Sequence, residues 1–162
     1  MNKQEIYDWL ESRGVEFESV EHAPVLDMSG LSFRDMPHAG CVAKNLFLHD
    51  DRRSAYYMIS IKGNKRFDIK DFRRRFGTRR LSFADDCELD AILCVKPGSV
   101  SPLCLLDDTK CVVRLFIDRD FMDNGAYIGV HPCDNTATLW LKVNDLIDVV
   151  AEHGNYVALT DI

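Results

Sequence analysis

The chain has 162 residues, 46% hydrophobic and 28% charged, with only 9 Gly and 5 Pro. That composition suits one globular domain spanning residues 1–162 and excludes a disordered tail or a low-complexity array. Unbroken apolar runs such as residues 55–59 fall far short of the roughly 20 residues needed to cross a bilayer, and the start, Met1-Asn2-Lys3-Gln4-Glu5, has neither a basic lead nor an apolar signal core, so a cytoplasmic protein without membrane contact is expected.

Six cysteines (Cys41, Cys87, Cys94, Cys104, Cys111 and Cys133) include no C-x-x-C pair, and no His stands at a spacing that would complete a zinc site. Reduced thiols and no bound metal are expected. The formal net charge of -6 comes from 20 basic and 26 acidic residues, a balance that taken alone argues against nucleic acid. The charge is unevenly placed. Between Lys62 and Arg80, nine basic residues (Lys62, Lys65, Arg66, Lys70, Arg73, Arg74, Arg75, Arg79 and Arg80) meet only Asp68 and Asp71, leaving eleven basic and twenty-four acidic residues elsewhere. Such a stripe either meets phosphates, while the acidic remainder limits indiscriminate polyanion binding, or is an ordinary solvated face.

In chain order, Asn2 with Glu5 three residues later reads as a capping box, predicting a helix with Ile6, Trp9 and Leu10 on one face and Gly14 at its end. Val15, Phe17 and Ser19 alternate with Glu16 and Glu18, a half-buried strand that stops at the turn Glu21-His22-Ala23-Pro24. Residues 26–37 are ambiguous, because Gly30 weakens a short helical pattern. Residues 43–48 and 55–61 predict a hairpin across Asp50-Asp51-Arg52-Arg53. Asp68 caps a helix with Ile69, Phe72 and Phe76 as its buried stripe, Gly77 as its end, and Lys70, Arg73 and Arg74 pointing outward.

Residues 81–83 form a short strand, and Asp85 with Glu88 opens a helix through Leu89, Ile92 and Leu93 that must stop before Pro97-Gly98. Strand character returns at 111–117, 127–130 and 136–141, with a turn at Asp123-Asn124-Gly125. Asn144 caps a last helix through Leu146, Ile147 and Val150 to Gly154, before a closing strand at 156–159. About seven strands with three or four helices among hairpin-like connections predict an α+β domain with a mixed, largely antiparallel sheet. The sequence has no G-x-G-x-x-G after a strand, no Walker loop, no G-x-S-x-G elbow and no H-E-x-x-H.

Three polar segments stand where strand or strand end is expected. Lys44-Asn45 opens the apolar run Leu46-Phe47-Leu48, and the two side chains point to opposite faces. Lys44 either reaches into a cleft, offering three donors and a positive charge, or snorkels from a strand edge. In Pro97-Gly98-Ser99-Val100-Ser101-Pro102, Gly98 gives backbone freedom between two stiffening prolines, so the loop either aims N–H groups at a developing oxyanion or is a plain connector. In Gly129-Val130-His131-Pro132, followed by Asp134 and Asn135, His131 either orients a hydroxyl or water near neutral pH or is a hydrogen-bonded structural residue.

Together and in this order, Lys44 to Leu48, Arg80-Leu81-Ser82-Phe83-Ala84, the Pro97 to Leu103 loop, and Gly129-Val130-His131-Pro132 with Asn135-Thr136-Ala137-Thr138 resemble the aminoacyl-tRNA editing family of YbaK-like and prolyl-tRNA-synthetase-associated domains. Within it the chain is most similar to the free-standing group that clears alanine from proline tRNA. The resemblance covers most of the chain and implies a YbaK-like fold and a hydrolase of mischarged aminoacyl-tRNA that uses no metal or organic cofactor. It implies Lys44, Gly98 and His131 as catalytic residues and Asn45, Ser99, Val100, Ser101, Pro102 and Asn135 as substrate-binding residues.

The implied partners are the acceptor end of tRNA, most naturally proline tRNA, and a prolyl-tRNA synthetase, with no DNA. In this picture Lys70, Arg73, Arg74 and Arg75 track the tRNA backbone, and a ribose hydroxyl of the substrate helps activate the attacking water. An aminoacyl ester is already activated, so positioning and electrostatic stabilisation can suffice without a serine or cysteine nucleophile. The chain departs from the family pattern at Cys104, where a small glycine is expected after Ser-Pro-Leu and where a larger side chain would narrow the pocket, and in residues 26–37. Rival readings are a binding module of the same fold that docks tRNA or a synthetase without hydrolysis, and a Cys133–His131 thiol pair whose geometry Pro132 disturbs.

Overall fold

The computed structural model describes residues 1–24, 36–38, 40–123 and 125–162. The ambiguous segment at 26–37 lies outside the described residues except for Met36 and Pro37. Helix α1 spans Lys3–Ser12, and its capping box forms as the spacing requires: Asn2 Oδ1 accepts from the Glu5 N–H at 3.0 Å and the Glu5 carboxylate accepts from the Asn2 N–H at 2.7 Å. This start turns Ile6 and Leu10 into the core. Strand β1 (Phe17–Glu21) follows, beginning after Val15 rather than at it.

Strands β2 (Ala43–Asp50) and β3 (Tyr56–Lys62) form the expected hairpin. Helix α2 (Ile69–Phe76) is capped by Asp68, which accepts from the N–H groups of Lys70 and Asp71. After β4 (Leu81–Phe83), the Asp85–Glu88 capping box starts only a short helix, α3 (Asp86–Glu88). The backbone then widens into a π turn at Leu89–Leu93, in place of the regular helix the sequence predicts, and brings Val95 back into the core. A 3₁₀ turn (Pro102–Asp107), strand β5 (Val113–Asp118), a second 3₁₀ turn (Arg119–Met122), β6 (Tyr127–Val130) and β7 (Ala137–Lys142) come next. The last helix, α4 (Val143–His153), precedes β8 (Tyr156–Thr160). Asn144 does not cap α4: β7 runs into it without a loop, so Lys142 occupies the cap position and no side chain closes the first turn.

Among the described residues, eight strands form two sheets, ordered β1-β7-β6 and β4-β2-β3-β5-β8. The larger is mixed, since β3–β5 and β5–β8 are parallel pairs and the rest antiparallel. Helix α2 covers one of its faces, where Phe72 packs with Leu48, Tyr57, Ile59, Ile61, Leu81 and Phe116. The opposite face, carrying Ala43, Phe47 and Met58, joins Ile128, Val130, Leu139 and Leu141 of the smaller sheet and Leu146 and Val150 of α4 in the main core.

The feature that positions the candidate site is where the sheets meet. One parallel bridge, Val42 with Gly129, joins the smaller sheet's β6 to the residues just ahead of β2, and the Gly129 N–H donates to the Cys41 carbonyl at 2.7 Å. Strand β2 therefore borders β6 at its start and β4 at its end.

Candidate active site

Strand pleat decides which way the residues past this seam face. Asn45 pairs with Ser60 and lies on the main-core side with Ala43 and Phe47. The buried Ser60 hydroxyl donates to Asn45 Oδ1 at 2.7 Å, and Asn45 Nδ2 donates to the Val100 carbonyl at 3.1 Å. An amide satisfied at both ends has one orientation, so Asn45 ties the 97–102 loop to the sheet.

Within that loop the Ser99 N–H closes a turn on the Lys96 carbonyl at 3.1 Å, and Gly98 sits at φ +90°, a conformation costly for any residue with a Cβ. A Cβ at Gly98 would stand 3.6 Å from Asn135 Nδ2, so the loop and the turn after β6 are in van der Waals reach. Ser101 and Pro102 are buried and support the loop from below, the Ser101 hydroxyl accepting from the Leu103 N–H at 3.3 Å. Gly98 is exposed, and Ser99 and Val100 are half-buried. Cys104 also lies beneath, with its thiol on the Ser99 carbonyl at 3.6 Å; burial, reinforced by the neighbouring Cys133, pushes that thiol well above its ordinary pKa. Its bulk therefore acts through the floor of the loop.

His131 leaves the end of β6 with Nδ1 2.8 Å from the Ala137 carbonyl. A carbonyl only accepts, so the proton sits on Nδ1, and Nε2 of the neutral ring is an acceptor. Burial pushes the imidazole pKa below its usual value, and the Ala137 carbonyl only partly opposes this. Asp134 fixes the same turn by accepting the hydroxyl and N–H of Thr136, which holds its carboxyl below the usual range.

Lys44 lies on the other face of β2, beside Ile61, and its ammonium donates to the Lys65 carbonyl at 2.6 Å. The seam still relates it to His131, because each stands two residues beyond its member of the Val42–Gly129 bridge. The structure thus bonds Asn45 to Val100, sets the Gly98 turn close to Asn135, keeps His131 on the same turn as Asn135, and leaves Lys44 adjacent in the chain but bound to Lys65. The sequence reading missed one further group. His22, expected only as a turn residue, places its ring 6.2 Å from that of His131. Its partner Thr138 is 116 positions away, so no local signal marks it.

The family profile described as an aminoacyl-tRNA editing domain matches residues 33–149, a span that contains Asn45, the 97–102 loop and the 131–135 turn. The chain belongs to the aminoacyl-tRNA editing domain family. It is 29% identical over 153 residues to the prolyl-tRNA editing protein ProX of Acetoanaerobium sticklandii, covering 94% of this chain and 93% of the relative. It is 30% identical to prolyl-tRNA synthetase associated domain-containing protein 1 of Danio rerio, covering 93% and 82%. In fold it is similar to the hypothetical protein APE2540, with TM-score 0.71, 19% identity and 98% of each chain covered. It is also similar to a candidate trans-editing enzyme for prolyl-tRNA synthetase, with TM-score 0.68, 18% identity, and 99% and 96% covered.

On this editing domain the basic stripe is less bare than its sequence suggests. Arg74 and Arg75 share Asp71, Arg75 also donates to the Asp161 carbonyl, Arg79 forks onto Asp51, and Lys65 bridges Asp118 and Asp120. Among the described residues, Lys62, Arg66, Lys70, Arg73 and Arg80 have no carboxylate partner, and Arg73 is held by donating to the Arg79 carbonyl at 3.2 Å. The Lys65 carbonyl that takes the Lys44 ammonium belongs to this segment, so the stripe begins beside the seam.

Proposed function

We propose that the protein is a trans-editing deacylase that hydrolyses the ester between a wrongly attached amino acid and the terminal adenosine of tRNA, with alanine on proline tRNA as its first substrate. The observation that carries this reading is the junction of Asn45, the Gly98 turn and Asn135 at the sheet seam of an editing-family chain. The Ser99 N–H is taken by Lys96, and among the described residues the N–H groups of Gly98 and Val100 donate to no backbone carbonyl. They are the donors that meet the ester carbonyl as it gains charge. Ser99 and Val100 frame the amino acid, above the Ser101 and Pro102 support.

His131 Nε2 accepts a hydrogen bond from a ribose hydroxyl or the attacking water, Asn135 holds the opposite rim, and Lys44 leaves the Lys65 carbonyl to hold the terminal nucleotide. A ribose hydroxyl of the substrate assists the water, and the reaction uses no metal or organic cofactor. Such an enzyme is needed because an apolar pocket rejects a smaller side chain by only about 1–3 kcal/mol.

The test is amino-acid release from a panel of mischarged tRNAs with purified protein. Release from Ala-tRNA(Pro) well above the spontaneous rate, and faster than from Pro-tRNA(Pro), is expected. Equal rates with and without protein on every substrate would favour the second reading, a tRNA- or synthetase-docking module, for which the engaged Lys44 ammonium is the specific observation.

For tRNA binding, the ion-pairing pattern ranks the stripe. Neutralising Lys70 and Arg73 should weaken binding and lower the slope of log affinity against log salt by about one per lost phosphate contact. Neutralising Arg74 and Arg75 should do less, because Asp71 already competes for them. Equal, salt-independent affinity for all variants in a filter-binding series would return the stripe to a solvated face.

A further inference from the structure

The two imidazoles at the seam hang from the same strand end, and His22 has no part in the reading above. The His22 N–H, just after β1, donates to the Thr136 carbonyl at 2.8 Å. Its ring Nδ1 lies 2.9 Å from the Ala23 carbonyl and must carry the proton, so Nε2 accepts from the Thr138 hydroxyl at 2.9 Å. One residue earlier, the Ala137 carbonyl takes the Nδ1–H of His131. The rings meet edge to face, with centroids 6.2 Å apart and planes at 62°.

We propose that His22 is a positioning residue for His131: it braces the start of β7 from which His131 hangs, and by opposing a second positive charge it keeps His131 Nε2 an acceptor as pH falls. The other groups facing His131 do not duplicate this. Asp134 on its own turn draws a proton toward it, and Cys133 flanks it in sequence. From α1, Lys3 reaches the Thr136 hydroxyl at 3.1 Å but is paired with Glu21 of β1 at 2.6 Å, so the two charges largely cancel.

The inference rests on His131 acting in the proposed deacylation, and its first test is independent of that. The titration of each imidazole is followed by NMR in the free protein, in wild type and in His22→Gln. A neutral His131 exists above its pKa, and removing a nearby positive charge raises that pKa. The His131 midpoint should therefore move up by at least about half a unit, the size expected of two charges about 6 Å apart with the full screening of bulk water. The acid limb of deacylation should move to higher pH by the same amount. A His22→Asn protein, which likewise removes the imidazole, should show the same upward move of the His131 midpoint, so the outcome does not hang on one variant. An unmoved His131 midpoint in whichever of the two variants is folded overturns the proposal. A shifted midpoint in a protein that deacylates nothing supports the coupling while removing the deacylase reading.

Discussion

Gly129→Ala is expected to lower folding stability by about 2–3 kcal/mol and the melting temperature by roughly 5–10 °C, a large effect for one methyl group. Gly129 lies directly opposite Trp140 in the β6–β7 ladder, and the indole folds across the bare backbone. A Cβ there would stand 2.5 Å from Trp140 Nε1 and 2.9 Å from Cδ1, closer than atoms can approach. Trp140 is fully buried, so the ring cannot swing into solvent, and the strand must yield instead. Yielding would disturb the Gly129 contacts to Cys41 and Val42, and with them the register of Lys44 and His131. Thermal and urea unfolding of Gly129→Ala, of Trp140→Leu and of the double variant would measure this. The double variant should cost less than the sum of the singles, because the smaller side chain leaves room for the methyl. A Gly129→Ala protein that melts with wild type would mean that the indole does not rest on the glycine.

What could be read from the sequence was what neighbouring residues decide. The Asn2–Glu5 and Asp85–Glu88 capping boxes and the Asp68 cap all form, because each needs only a three-residue reach. The β2–β3 hairpin follows from alternation and a charged turn. Asn144 misled because capping residues signal a helix start only where a loop precedes them, and here β7 leads straight into α4. The parallel β3–β5 and β5–β8 pairings were hidden for a different reason: they join segments separated by whole helices, and no local pattern encodes them.

The candidate site divides along the same line. Gly98 and the loop around it stand out as local anomalies, whereas the Asn45–Val100 bond spans 55 residues and the Val42–Gly129 bridge 87. The stripe reads as bare charge because, apart from Asp71, its carboxylate partners, Asp51, Asp118 and Asp120, come from outside the segment. The Arg75 contact to the Asp161 carbonyl reaches across the fold in the same way.

Lys44→Ala should reduce deacylation of Ala-tRNA(Pro) by about 10²–10³-fold, the usual loss when a positioned electrostatic group is removed from a reacting site. The structure makes this a demanding test, because the Lys44 ammonium already has a partner in the Lys65 carbonyl. If that bond were its whole role, Lys44→Ala would lose one half-buried hydrogen bond, about 1 kcal/mol of stability, and leave the chemistry alone. If the ammonium exchanges that carbonyl for the substrate, the rate falls far more than the stability, and the two measurements separate. Lys44→Met keeps much of the stem without the charge and should fail as badly as alanine, whereas Lys44→Arg keeps the charge and should recover part of the rate. The opposite facing of Lys44 and Asn45 sharpens the contrast. Asn45→Ala frees the Val100 carbonyl and strands the buried Ser60 hydroxyl, so it should lower stability and rate together. Wild-type rates in Lys44→Ala, measured at saturating mischarged tRNA, would leave the lysine as a clip between β2 and the basic segment and move the search for the catalytic charge to Lys62 or Arg66.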